Sequence, residues 1–332
     1  MLASPPAGLC SAGICQPFAL NKSVAGLSGN LLVDSNALYA VGNASSGGGD
    51  PAAFSKVTGN IIGQADDELG GQLGCQDSVY LYAYTDSTAT PNPEIVAYAK
   101  ESLLNPVGSI IGTPLNESGF TPANVFASTG PYVYWLASNI GELLQFVAPP
   151  DFMFATVEAP PTQITPAFVL GDSQGLTWGG GSVVYTAPGA SPPNFSAEIT
   201  LPVPTTLSTL DPDQVAMDAN YVYYFNSVDK NFYASARNGS SLIALTSSGG
   251  LLGPAAPLIA DCPVGGGCAA GQTSAYIYWV DTSNTIWRLP ATTANSTPAT
   301  FVKPQSPTIG AIAVDNFGVY WITASELMAQ AK

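Results

Sequence analysis

YIYW at 276–279 and GVYW at 318–321 are two copies of a short aromatic phrase that recurs along this chain. Five looser copies precede them: ALY at Ala37–Tyr39, SVY at Ser78–Tyr80, YVYW at Tyr132–Trp135, VVY at Val183–Tyr185 and YVYY at Tyr221–Tyr224. The tyrosines that anchor the copies are Tyr39, Tyr80, Tyr134, Tyr185, Tyr223, Tyr278 and Tyr320. Their spacing of roughly 40 to 55 residues is typical of repeated supersecondary units. The phrase therefore predicts seven equivalent units.

The last two units show that each repeat is a small sheet. The candidate strands are Tyr276–Val280, Thr285–Leu289 and Ala299–Lys303 in the sixth unit, and Ala311–Val314, Val319–Ile322 and Glu326–Lys332 in the seventh. Their β-branched and aromatic residues suit a pleated, half-buried surface, and no long window has helical periodicity. Four short strands per repeat are typical of a propeller blade. We predict an all-β fold: a seven-bladed β-propeller with four antiparallel strands per blade.

The two ends of the chain are expected to meet. Residues 1–332 are predicted to form a single propeller domain, because each blade packs only on its neighbours. The seventh repeat ends after three strands, and Gln16–Leu20 is predicted to supply its missing outer strand, which protects the sheet edge. Residues 1–15 are then an N-terminal extension. A disordered tail is the alternative for this N-terminal segment.

Two stretches resemble the YWTD type of propeller repeat. Tyr278–Asp281 followed by Thr285–Arg288 is similar to that family's YWTD and the strand after it, and Ala313–Asp315 before Val319–Trp321 resembles its lead-in. The resemblance implies six-bladed ligand-binding domains of cell-surface receptors. The chain also looks like the loosely conserved propellers of secreted bacterial proteins. Neither resemblance transfers a binding residue, and seven anchors do not fit six blades.

Composition restricts the partners and the compartment. Only 9% of the residues are charged, the formal net charge is −15, and there is no histidine. Nucleic acids and anionic membranes both need clustered Lys and Arg, so neither is expected as a partner. No apolar stretch approaches the roughly 20 residues of a membrane-spanning helix, so no membrane insertion is expected. The sparse charge favours a secreted or cell-surface protein whose signal peptide is not in this chain.

The five cysteines agree with an oxidising compartment. We predict one disulfide bond between Cys10 and Cys15 and another between Cys262 and Cys268, because both pairs are close in sequence and lie in Gly-containing loops. Cys75 is left over. Zinc is a poor alternative, since four remote thiols would have to converge without histidine.

Acidic residues mark the face on which we expect a ligand. The connections that lead into each innermost strand, and those between second and third strands, form what we call the loop-rich face. Its candidate ligand-binding residues are Asp66, Asp67, Glu68, Asp211, Asp213 and Asp261. Gathered around a central mouth, these carboxylates would hold a basic or polyhydroxylated partner, or a hard cation. No cofactor is otherwise expected, and calcium is the cation that fits oxygen ligands. The alternative is that these are solvated turn carboxylates.

Other repeated residues are interpreted as structural. Asp34, Asp218 and Asp315 each stand five residues before an anchor tyrosine, which predicts that they cap the turn between the first two strands. Trp135, Trp279 and Trp321 are expected to pack between blades, whereas Trp178 and Trp287 lie outside the phrase and are better candidates for exposure.

The sequence favours binding over catalysis. Without histidine, Ser-His-Asp and Cys-His arrangements are impossible, and no catalytic residue is predicted. The leading hypothesis is a non-catalytic propeller that recognises a glycan, a protein or a cation-bridged ligand on the loop-rich acidic face. The alternative is a structural protomer of an extracellular coat or filament, whose partners are copies of itself. A third hypothesis is a carboxylate-dependent glycosidase or lyase.

Overall fold

Seven antiparallel sheets of four strands each, joined in chain order, form the fold in a computed structural model of the protein. The structure describes residues 10–11, 14–22, 26–43, 49–65, 71–85, 94–111, 126–137, 142–151, 153–158, 166–188, 198–247, 253–262, 271–304 and 306–332. Within these ranges the only helical element is a short 3-10 turn at Pro212–Gln214. The predicted seven-bladed propeller is confirmed.

The blades follow one another along the sequence, and the first strand of each blade is its innermost. From the inside outwards, blade 1 consists of Ser28–Val33, Ala37–Asn43, Gly49–Ser55 and Ile61–Gln64. Blade 2 consists of Gly71–Gln76, Tyr80–Thr85, Glu94–Ala99 and Ser102–Ile111. Blade 3 consists of Phe126–Ser128, Tyr132–Ala137, Glu142–Val147 and Met153–Glu158. Blades 4 and 5 are Phe168–Asp172, Gly175–Gly180, Val183–Pro188 and Ile199–Leu201; and Val215–Met217, Tyr221–Asn226, Asn231–Ala236 and Leu242–Ala244. Blades 6 and 7 are Ile259–Ala260, Tyr276–Val280, Ile286–Pro290 and Ala299–Val302; and Ile309–Val314, Gly318–Thr323, Leu327–Ala331 and Phe18–Asn21. A separate hairpin pairs Cys10–Ser11 with Ile14–Cys15.

The N-terminal strand closes the ring. Phe18–Asn21 lies antiparallel to Leu327–Ala331, with Phe18 opposite Ala329 and Ala19 opposite Met328. The predicted closing strand is therefore confirmed, although it begins two residues later and ends one residue later than expected. Its outer-strand position completes the seventh blade with a segment from the other end of the sequence.

Aromatic residues of the second strands form the core between blades. Trp135, Trp178, Trp279 and Trp321 are all fully buried. The ring of Trp135 lies 5.6 Å from that of Tyr84 in the preceding blade. Large buried rings at each blade contact make neighbouring sheets pack as one continuous core.

Two repeats are aligned differently from the sequence prediction. In blade 2 the tyrosine that corresponds to the other anchors is Tyr82, because it bonds to the turn aspartate Asp77 five residues before it. In blade 4, Tyr185 lies on the third strand, and the second strand is Gly175–Gly180. The sequence GLTW of that second strand places Trp178 where blades 3, 6 and 7 have tryptophan. The expected exposure of Trp178 was wrong for this reason.

Candidate functional site

One aspartate recurs at the turn between the first and second strands. It occupies this turn in six blades, as Asp34, Asp77, Asp172, Asp218, Asp261 and Asp315. In blade 5 the carboxylate of Asp218 accepts hydrogen bonds from the backbone amides of Asn220 and Tyr221, both at 2.8 Å, and from the Tyr223 hydroxyl at 2.7 Å. The predicted capping role is confirmed at this turn, because the side chain satisfies backbone donors that the turn would leave open.

A cation from the next blade neutralises four of these aspartates. Each cation directly follows the third strand of its own blade and reaches back to the preceding blade. The pairs are Lys56 with Asp315, Lys100 with Asp34, Arg237 with Asp172 and Lys332 with Asp261. The chain has eight Lys and Arg in all, so at least half of its cations fasten one blade to the next.

These pairs lie on what we call the turn face, the side of the ring that carries the turns between first and second strands and between third and fourth strands. Because the loop-rich face lies at the other ends of the same strands, the repeated aspartates and their cations are opposite it. Their charges are committed to the contacts between blades.

A wide groove opens between blades 1 and 2 on the turn face. Its volume is about 700 Å³. Blade 1 contributes its Asp34 turn and its outer strand from Ile62 to Gln64, and blade 2 contributes Val79 and the stretch from Lys100 to Leu104. The groove has the size of a ligand site, for which roughly 300 to 1,000 Å³ is usual.

The floor of this groove is a nearly buried ion pair. The Lys100 Nζ atom lies 3.0 Å from Asp34 Oδ2, and the two side chains are 9% and 12% exposed. Burial by itself raises the pKa of Asp34, but the Lys100 charge and the amides of Asn36 and Ala37 outweigh it and hold this pKa below its ordinary value. Asp34 is thus ionised, and its charge is balanced by Lys100.

A second groove between blades 4 and 5 differs in chemistry. It encloses about 250 Å³ and is lined by polar side chains that include Gln174, Asn220 and Asn238. Its buried cation, Arg237, donates to both carboxylate oxygens of Asp172 and to a backbone carbonyl. Lys100, in contrast, has a single hydrogen-bond acceptor, Asp34, among the described residues. Among the described residues Arg237 is therefore held by three hydrogen bonds, whereas Lys100 is held by one.

Of the acids predicted from sequence, the three that the structure describes, Asp211, Asp213 and Asp261, do not gather at one place. Asp211 and Asp213 lie together on the connection into blade 5, where Asp211 accepts a hydrogen bond from the Asp213 amide at 3.0 Å. Burial, and then the neighbouring charge of Asp211, raise the pKa of Asp213. The expected location of these two on the loop-rich face is correct, but their role in binding stays a prediction. Asp66, Asp67 and Glu68 lie outside the described residues.

The expected location of Asp261 was wrong. The first strand of blade 6 ends at Ala260, so Asp261 begins the connection to the second strand and lies on the turn face. Its amide donates to the carbonyl of Tyr276, the first residue of the second strand, at 2.8 Å, and its carboxylate pairs with Lys332. The amides of Asp34, Asp77, Asp218 and Asp315 make the equivalent bond in their own blades. This role was not recognisable in the sequence, because a long insertion separates Asp261 from the second strand, which begins at Tyr276. It does not join Asp211 and Asp213 in one funnel.

The cysteines are partly described. Cys10 and Cys15 are directly opposite each other in the N-terminal hairpin. The side chain of Cys10 and the whole of Cys268 lie outside the described residues, so both predicted disulfide bonds stay predictions. Cys75 is a free thiol at the wall of the central channel, a cavity of about 160 Å³ lined by the first strands. Burial raises the pKa of the Cys75 thiol, and the Asp77 charge adds to the effect.

Neither a metal cluster nor a spanning helix is present where the structure can be described. Across the described ranges no three Cys, Asp or Glu side chains converge in a way that would hold a cation. In the same ranges no helix has the length and hydropathy needed to cross a bilayer.

Comparison with known proteins shows the fold alone. No protein-family model matches the chain, and no curated protein matches it. Virginiamycin B lyase from Staphylococcus aureus is a similar solved structure, with 12% identity, a TM-score of 0.60 and coverage of 95% of this chain and 97% of that one. A chain of the mitotic checkpoint complex has 11% identity, a TM-score of 0.62 and coverage of 96% and 91%. BamB from Moraxella catarrhalis has 12% identity, a TM-score of 0.50 and coverage of 97% and 87%. All three support a β-propeller, and the YWTD type of repeat is not confirmed.

Proposed function

We propose that this protein is a non-catalytic binding propeller that docks a protein partner on the sector of the ring formed by blades 7, 1 and 2. The observation that carries this proposal is the distribution of exposed apolar side chains. Nine large apolar residues in the described ranges are exposed, and seven belong to this sector. They are Val57, Ile61, Ile62, Val79, Leu104, Val107 and Phe317. Exposed apolar side chains that are concentrated in one region mark interaction sites.

The charges of this sector favour a protein over other ligands. Lys56 and Lys100 are both paired with aspartates and nearly buried, so they offer no positive surface to nucleic acid or to an anionic membrane. A glycan usually needs an exposed aromatic platform, and burial of Trp135, Trp279 and Trp321 between blades leaves Phe317 as the exposed aromatic ring among the described residues of this sector. Exposed apolar side chains are better suited to the apolar centre of a protein–protein interface.

Comparison with the lyases supports the absence of catalysis in this proposal. One solved virginiamycin B lyase is a catalytically inactive variant in which a histidine is replaced by alanine. The present chain has the same fold but no histidine at all. Its turn carboxylates are also engaged in capping bonds and ion pairs, which leaves them poorly placed for acid–base chemistry.

We further propose a secreted or cell-surface location. The low share of charged residues and the opposed cysteines Cys10 and Cys15 support an oxidising compartment. Asp211 and Asp213 remain candidates for a second contact on the loop-rich face.

Site-specific photo-crosslinking tests the docking sector. A photoreactive phenylalanine analogue is placed at Ile62 or Phe317 in the proposed sector, and at Leu242 on blade 5 as a control. All three positions are exposed. The proposal predicts one discrete adduct from the first two positions and none from Leu242, when the tagged protein is expressed in its source cells. Equal adducts from all three positions, or none, would contradict it.

The structural protomer is a second candidate, because an exposed apolar sector can also bind a copy of the same chain. In that case the crosslinked adduct has twice the chain mass. Sedimentation velocity over a hundredfold concentration range would then show association that Ile62→Lys abolishes. A monomer throughout this range would remove the candidate.

A further inference from the structure

We infer that the groove between blades 1 and 2 binds an extended peptide segment of the partner, with an aliphatic side chain between its walls and a basic residue beside Glu101. This inference rests on the proposed function, because it specifies how a protein would occupy the docking sector. The groove is defined by Asp34, Ile62–Gln64, Val79 and Lys100–Leu104.

Lys100 has spare hydrogen-bonding capacity at the floor of the groove. An ammonium group has three N–H donors, and one of them is used by Asp34 at 3.0 Å. The centroid of the Tyr39 ring lies 5.4 Å from Nζ and provides a weaker cation–π contact. The side chain is 9% exposed, so few water molecules reach the remaining donors. A buried donor without an acceptor is costly, which favours a ligand that brings an oxygen atom into the groove.

Lys56 provides an internal comparison. It follows the third strand of blade 1 as Lys100 follows that of blade 2. Its ammonium donates to the Asp315 carboxylate and also to the Asp34 carbonyl, at 2.5 and 2.6 Å, and its side chain is 2% exposed. The lysine after the third strand therefore has two hydrogen-bond acceptors at the contact between blades 7 and 1. At the contact between blades 1 and 2 it has one acceptor among the described residues and lines the groove.

The charges around the groove select the kind of oxygen that would bind. Asp34 balances Lys100, and Glu101 adds an exposed carboxylate that has no ion-pair partner among the described residues. The lining therefore carries one net negative charge. This charge disfavours a carboxylate or phosphate ligand and favours a neutral carbonyl, such as that of a peptide bond, with a cation next to Glu101.

The walls of the groove are apolar and end in a free strand edge. Ile62 and Leu104 are 61% and 57% exposed and face the groove from the outer strands of blades 1 and 2. Ile61–Gln64 is the last strand of its sheet, and no described strand pairs with its outer edge. An extended peptide gains backbone hydrogen bonds at such an edge and places alternate side chains in the groove. Apolar walls, a free edge and a neutral-acceptor site together fit a peptide in β conformation.

Peptide selection provides the test. A random heptapeptide library displayed on phage is selected against the whole protein, and the enriched peptides are synthesised with blocked ends and a fluorescent label. We expect alternating aliphatic residues and at least one Lys or Arg. Fluorescence anisotropy should show that Glu101→Lys weakens binding by at least about tenfold, since a favourable contact becomes repulsive.

One control variant, two further substitutions and a folding check accompany this experiment. Asp151→Lys makes the same charge change at an exposed turn of blade 3 and should leave binding within about twofold. Ile62→Lys should abolish binding, and a proline at the central position of the peptide should do the same by removing an amide donor. Thermal unfolding of each variant verifies that it is folded.

The outcomes separate the two proposals. Failure to enrich any peptide, or enriched peptides whose affinity ignores Glu101→Lys and Ile62→Lys, would overturn the inference about the groove. If crosslinking from Phe317 still gave a discrete adduct, the docking sector would stand and only the peptide mode would fall. Preference for acidic peptides would contradict the expected charge preference directly.

Discussion

Lys56 of blade 1 and Asp315 of blade 7 form an ion pair across the point where the ring closes. Their charged atoms are 2.5 Å apart, and the two side chains are 2% and 1% exposed. One side of this contact is blade 7, the sheet that the N-terminal strand Phe18–Asn21 completes. The ring is thus fastened at its seam by a backbone ladder within blade 7 and by a buried charge pair between blades 7 and 1.

Breaking this pair should destabilise the whole protein. Lys56→Met leaves the Asp315 carboxylate buried without its cation, which typically costs about 3–5 kcal/mol. The double variant Lys56→Met/Asp315→Asn should lose less than the sum of the two single variants, because the partners are coupled. Urea unfolding followed by tryptophan fluorescence measures these free energies.

The matched control is Lys22→Met, which removes an exposed cation near the same seam. It should change the free energy of unfolding by less than about 0.5 kcal/mol. A Lys56→Met variant as stable as this control would show that the buried pair contributes nothing to closure.

The tyrosine–aspartate bonds should differ in strength between blades. The Tyr223 hydroxyl lies 2.7 Å from Asp218, whereas that of Tyr320 lies 3.4 Å from both carboxylate oxygens of Asp315. Tyr223→Phe should therefore cost about 1.5–3 kcal/mol, the usual range for a hydrogen bond to a charged group. Tyr320→Phe should cost clearly less. Equilibrium unfolding of both variants gives the comparison, and the reverse order would be incompatible with these geometries.

Acid should remove the stabilisation that Asp34 supplies. The pKa of Asp34 is lowered in the folded protein. Its contribution to stability is therefore fully present at a pH above the ordinary carboxyl pKa of about 4, and it is lost as the pH falls through the folded pKa. Asp34→Asn should accordingly be less stable than the unmodified protein at pH 7, and the difference should shrink below about pH 4. Urea unfolding between pH 7 and pH 2.5 measures it. A difference that grows in acid would have the wrong sign for a lowered pKa.

Cys75 should react slowly in the native protein. Because its thiol pKa is raised by burial, little thiolate is available at pH 8, and we expect alkylation to be at least about tenfold slower than for free cysteine.

In denaturant without reductant, one thiol per chain should react if Cys10–Cys15 and Cys262–Cys268 are bonded. Mass spectrometry after iodoacetamide treatment counts the modified sites. Three or five modified cysteines would refute one or both pairings.

The sequence predicted the architecture well because the blades repeat a strong local signal. The candidate strands Tyr276–Val280 and Ala299–Lys303 match the observed strands to within one residue. The signal failed in blade 4, where Thr177 replaces the anchor tyrosine and the nearby VVY at 183–185 took its place. A short phrase cannot show which of two adjacent β-rich runs is the second strand.

The candidate site was harder to predict because it depends on contacts between blades. Lys100 and Asp34 are 66 residues apart in sequence, and nothing local indicates that they meet. One signal was present: Lys56, Lys100, Arg237 and Lys332 all directly follow a third strand. In a chain with so few cations, that regular position could have indicated a structural use for them, and with it the turn face.

Amide hydrogen exchange of the closing strand is the sharpest test of a ring sealed by its own N-terminal segment. This strand completes blade 7, on which blade 1 packs. We predict that the hydrogen-bonded amides of Phe18–Asn21 exchange with a protection free energy within about 1 kcal/mol of those of Leu327–Ala331. Exchange of Phe18–Asn21 at the rate of an unfolded peptide, with Leu327–Ala331 still protected, would mean that the N-terminal segment does not close the ring.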